Sequence, residues 1–142
     1  MRDTEEPMKE AAMSFARTFY QAADQTLAEP APHPHQIVLV TLRELTRALD
    51  VLATAQVQGR TFPPAPLNRA LTAIYILQSS LDFEAGGQIA DDLFQLYEFT
   101  RFHLLKAWRG EAEARLPEAR DAMDNILSAW GDIAPDADKV PA

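Results

Sequence analysis

The sequence predicts an all-α protein, an antiparallel up-down four-helix bundle with an additional short N-terminal helix. Three observations predict it. Apolar residues recur at steps of three and four through five separate segments, as one face of a helix requires. No segment alternates apolar and polar side chains over the length of a strand. The segments are separated by proline- or glycine-bearing joints, and the last four are of broadly similar length, which suits helices folding back on their neighbours.

The first segment, residues 6–27, places Met8, Ala12, Phe15, Phe19, Ala23 and Leu27 on one face. Pro30, Pro32 and Pro34 end it, because each removes a backbone donor and turns the preceding residue away from helix. Pro34 suits the first position of the next helix, expected over residues 34–56, where Val38, Leu42, Leu45, Leu49 and Leu52 form a stripe. Gly59 and three prolines make residues 57–66 a turn.

The third segment, residues 67–81, carries Leu67, Ala70, Ile74, Leu77 and Leu81, and Arg69 is the only charge between Thr61 and Leu81. Such a helix is enclosed on several sides or covered by something outside the domain. The run from Asp82 to Gly87 is expected to close it. The fourth segment, residues 88–108, has Ile89, Leu93, Leu96, Thr100, Leu104 and Trp108 on its face. The fifth, residues 113–133, steps regularly through Leu116, Ala119, Met123, Ile126, Trp130 and Ile133, with Pro117 in its first turn.

A length of 142 residues suits one domain, with residues 1–7 and 134–142 expected as flexible tails. With 47% apolar and 24% charged residues the chain has material for a core. No signal peptide is read at the start, and no apolar run approaches the roughly 20 residues that cross a bilayer. Zero cysteines exclude disulfides and thiol chemistry and suit a reducing cytoplasm. A net charge of −8 without a Lys/Arg cluster argues against a nucleic-acid partner.

Catalysis finds no footing. His33 and His35 flank Pro34 in a joint and His103 lies among aromatics, so no metal site is expected. No glutamate stands three residues before a histidine, as a di-metal carboxylate bundle would need. No serine sits in a nucleophile elbow, and Gly86-Gly87 lacks the spacing and lysine of a phosphate loop. No cofactor and no enzymatic activity are expected.

What stands out is an apolar surplus. Segments two, three and four each carry apolar residues on a second flank, including Tyr75, Phe94 and Phe102, beyond the single stripe a bundle core needs. That surplus can form a groove for a partner helix, or it can serve self-association as a homodimer.

The residues also carry a family resemblance. It runs through Tyr20-Gln21, Pro34-His35-Gln36-Ile37, Gly86-Gly87-Gln88-Ile89-Ala90, Leu96-Tyr97-Glu98-Phe99, Leu104-Leu105-Lys106-Ala107 and Ala129-Trp130, over residues 19–133. In this order and spacing the chain resembles the FliS-type flagellar export chaperones. The resemblance implies an elongated four-helix bundle in the bacterial cytoplasm that binds the C-terminal segment of flagellin, prevents premature polymerisation and aids delivery to the secretion apparatus. Another flagellar export or assembly component is the alternative partner. By the same resemblance Tyr20 is a placeholder displaced by the client, and Pro34, Ile37 and Leu42 lie in a region open to it. The chain departs from the family at His33, where a small polar cap is usual, at Phe102-His103, where paired arginines are usual, and at Trp108, where asparagine is usual.

Overall fold

The computed structural model describes residues 33–133. Within them the chain forms four helices and no strand: α1 (Pro34–Val57), α2 (Pro64–Ser79), α3 (Phe83–Trp108) and α4 (Leu116–Asp132). The expected N-terminal helix, Tyr20 and both expected tails lie outside the described residues.

The prolines set the helix starts. Pro34 opens α1, and the His33 carbonyl accepts from the backbone N–H groups of Gln36 (2.9 Å) and Ile37 (3.1 Å) without any side-chain cap. The helix that was expected from Leu67 begins at Pro64 instead. Pro64 and Pro66 fit its first turn because N–H groups there have no intrahelical acceptor to lose. The C-termini of α1 and α3 close alike: Gly59 N–H donates to Gln56 O (3.0 Å) and Arg60 N–H to Ala55 O (2.8 Å), with Gly110 and Glu111 repeating the pattern on Ala107 and Lys106.

Helix α3 starts five residues before the expected position. Asp82 caps it, its carboxylate accepting from the backbone N–H groups of Glu84 (3.1 Å) and Ala85 (3.0 Å). The segment from Asp82 to Gly87, expected as a terminator of the preceding helix, is therefore an initiator. One turn later the helix kinks at Gly87, whose φ of 51° and ψ of −126° belong to a region that a Cβ makes strained.

The core runs along α1. Leu42, Leu45, Leu49 and Leu52 are fully buried, together with Ile74 and Leu77 of α2, Leu104 of α3, and Leu116 and Met123 of α4. Helix α1 packs against α2 and α4, and α3 packs against α4 and, less extensively, α2. Phe62 of the α1–α2 connection fills one end of this core. Two buried threonines satisfy their hydroxyls locally, Thr41 donating to Ile37 O (2.7 Å) and Thr100 to Leu96 O (3.0 Å).

On α3 the buried stripe is Ala90, Tyr97, Thr100, His103, Leu104 and Ala107, whereas Ile89, Leu96 and Trp108 of the expected stripe are exposed. Small residues at 90, 100 and 107 let this face sit close to its neighbours, and Tyr97 and His103 carry apolar ring bodies into it. His103 also ties two elements together. Its Nδ1 accepts the backbone N–H of Arg115 (3.0 Å), the residue preceding α4. Only an unprotonated Nδ1 can accept, and burial first, then the Lys106 and Arg115 charges, hold the His103 pKa below its usual 6.5.

Leu42 was expected to face a partner, but it is fully buried, so it is a core residue in this structure. Leu42→Ala is accordingly expected to lower the unfolding free energy by about 2–5 kcal/mol, measured by urea titration with circular dichroism. The His103 bond predicts a pH dependence. Because the folded state disfavours the proton relative to the unfolded chain, the contribution is complete above pH 6.5 and is lost as pH falls through the depressed folded value. Stability curves of the protein and of His103→Gln, compared across that window, should differ in slope below pH 6.5 and run parallel above it.

Candidate functional site

A concave apolar groove of about 550 Å³ lies at the end of the bundle where α1 begins. It draws Pro34 and Val38 from α1, Leu77 from α2, Leu81 from the short α2–α3 connection, Ile89, Leu93 and Tyr97 from α3, and Trp130 from α4. Ile89 stands out in it at 70% exposure, an isoleucine that the bundle's own packing does not cover.

Local backbone builds this shape. Asp82, a wall of the groove, fixes the start of α3 by capping it. Gly86 then allows the first turn to sit against Ala90: a Cβ at 86 would lie 2.9 Å from the Ala90 Cβ. The kink at Gly87 swings residues 83–86 off the axis of the rest of α3 and brings Phe83 edge-on to Phe94, with ring centroids 6.0 Å apart. The opposite wall is held by a reciprocal clasp between the head of α1 and the tail of α4. Trp130 Nε1–H donates to His35 O (3.1 Å), and His35 Nε2 bonds Trp130 O at 3.0 Å, which makes that ring nitrogen the donor because a carbonyl only accepts. The two rings stack at 5.3 Å with 14° between their planes.

The groove offers contact rather than chemistry. Burial pushes the Tyr97 phenol up to about 12, so it stays neutral there. Among the described residues no group of three His, Asp or Glu side chains is placed to hold a metal ion, and no helix is long and apolar enough to cross a membrane.

The residues expected at a binding surface are spread over the molecule. Pro34 lines the groove, and Ile37 lies half-buried on the next turn of α1. Tyr75 is exposed on α2, and Phe94 is half-buried beside Phe83. Phe102 is half exposed in the other half of α3, edge-on to His103, with Lys106 Nζ 5.2 Å from its ring centroid. Leu42 is in the core and Tyr20 lies outside the described residues. The sequence reading did not single out Val38, Leu77, Leu81, Ile89, Leu93, Tyr97 and Trp130 as one surface. The glycine pair was the available signal, because a break in the helix axis shifts the phase of the apolar stripe on either side of it.

Comparison with known proteins places this bundle among relatives. The family described as "Flagellar protein FliS" matches residues 16–137. The chain is 32% identical over 107 residues to the "Flagellar secretion chaperone FliS" of Vibrio cholerae, covering 75% of this chain and 79% of that protein. It is 40% identical over 107 residues to the protein of the same description from Salmonella typhimurium, covering 73% and 78% respectively.

The glycines give the site its own test. Gly87→Ala strains the kink and Gly86→Ala meets the Ala90 methyl, and each is expected to lower the unfolding free energy by about 1–3 kcal/mol in urea titrations.

Proposed function

Because the chain belongs to the FliS family of flagellar proteins, we propose that it is a cytoplasmic export chaperone that holds the C-terminal segment of flagellin until secretion. Held in this way, the segment cannot enter premature polymerisation, and the subunit can be passed to the secretion apparatus. No catalytic step belongs to this reading.

The observation that carries it is the groove, above all the exposure of Ile89 beside a core that is already closed without it. An amphipathic segment laid into such a concavity gains by removing apolar area from water, at about 25 cal/mol per Å² before the ordering costs of both partners are subtracted. The client path we assign starts at Pro34 and Ile37 and follows the outward flank of the bundle past Tyr75, Phe94 and Phe102. Leu42 supports that path from beneath. Tyr20 is assigned as the placeholder that the client displaces. In the whole protein the four helices are taken to run up and down in antiparallel order, preceded by a short N-terminal helix.

Titration calorimetry with flagellin from the same genome, with and without its C-terminal segment, tests the reading. One-to-one binding that requires the segment is expected, as is a loss of about tenfold or more in affinity for Ile37→Asp in a protein whose circular dichroism is unchanged. Failure of a folded sample to bind flagellin would remove it as the client and turn the search to other flagellar export components.

A further inference from the structure

The charges of this bundle are spread unevenly between its ends. The groove gathers the head of α1, the tail of α2, the first half of α3 and the tail of α4. In the stretches that supply this half, residues 34–42, 70–100 and 121–133, there are eight Asp and Glu and no Lys or Arg. Of the nine Lys and Arg of the described residues, Arg43 adjoins this half on α1, and the other eight lie toward the α1–α2 and α3–α4 connections, together with Glu44, Asp50, Glu111, Glu113 and Glu118. One carboxylate lines the groove and two more lie close to it in sequence on α3. Asp82 is one of its walls, and Asp91 and Asp92 follow Ile89 by two and three residues, both exposed. Gln88 Nε2 donates to Asp92 at 2.8 Å, and among the described residues no cation pairs with any of the three.

We propose that the groove selects its occupant by charge as well as by apolar fit, taking a partner segment whose apolar anchor residues are flanked by lysine or arginine. This selection rests on the client reading and adds to it the chemistry of the segment that enters first. The apolar floor cannot distinguish one amphipathic segment from another, because burial is non-directional. The carboxylates can: a basic flank is attracted by Asp82 in the groove wall and by the neighbouring Asp91 and Asp92 of α3, and an acidic flank is repelled by the same three. The opposite, Arg-rich half gives the field a direction, so a segment long enough to run along the bundle is drawn in with its basic part toward the groove.

Two synthetic fluorescent peptides test this on the full chain. Both carry the same Leu/Ile anchors at helical spacing, flanked in one by lysines and in the other by glutamates, and the flagellin C-terminal segment is titrated in parallel. The lysine-flanked peptide is expected to bind about tenfold or more tightly than its partner at low salt, with the margin shrinking at high salt, where exposed charges are screened. Asp91→Asn/Asp92→Asn should shrink the same margin while the circular dichroism stays unchanged. Asp82 is left in place because it caps α3. Equal binding of the two peptides, or a margin indifferent to salt and to the double variant, overturns the proposal while leaving the client reading intact. Binding of the flagellin segment with neither peptide bound also overturns the proposal while leaving the client reading intact. Binding of the lysine-flanked peptide without flagellin binding supports the charge rule and removes flagellin as the client.

Discussion

The leucine seam of α1 constrains everything around it. Leu42, Leu45, Leu49 and Leu52 lie on one stripe and reach zero exposure, each gaining about 1.5–3 kcal/mol from burial, so α1 must be covered on both sides. Helices α2 and α4 supply that cover. Helix α3 closes the bundle through α4 and, less extensively, α2, and it is fixed by directional bonds: Asp82 at its start, Gln78 Nε2 to the Glu98 carboxylate (2.9 Å) at its middle, and His103 to the Arg115 N–H near its end. An element held in this way can bury a narrow face and leave its flanks free. That is where Ile89, Leu96 and Phe102 remain open.

Surface recognition in this molecule depends on how that freedom is arranged. The outward apolar residues near the groove have negative neighbours, and Phe102 has positive ones, Lys106 among them. The two ends of the bundle therefore offer different chemistry although both expose apolar side chains. Two copies placed groove to groove would bring carboxylates near carboxylates, which repel.

Much of this was legible in the sequence, for physical reasons that also explain the failures. The start of α1 at Pro34 could be read because proline at a first turn is compatible with few other arrangements, and Pro117 sits in the first turn of α4 as expected although that helix starts at Leu116 rather than at residue 113. The leucines of α1 were identified correctly as a stripe, yet Leu42 was also placed by resemblance in a region open to the client: the resemblance locates a region, whereas only packing determines which side of a helix turns inward. On α3 two stripes of comparable regularity compete, one through Ile89 and Leu96, the other through Ala90, Tyr97 and Ala107. Hydrophobicity favours the first. Space favours the second, since alanine and threonine admit a close neighbour, and space is invisible in a single sequence. The glycine pair was read as an end because glycines commonly end helices; here they bend one that Asp82 had already begun.

The clasp between His35 and Trp130 joins residues 95 positions apart. Closing so long a loop costs more conformational entropy than any contact between successive helices, so during folding it is expected to come after the pairing of α1 with α2 and of α3 with α4. Trp130 is also a wall of the groove. During synthesis, the three earlier helices can emerge and begin to pack while that wall is still missing. The complete concavity thus arises only once the fourth helix has been made and docked, which ties readiness to receive a partner to the last step in assembling the bundle.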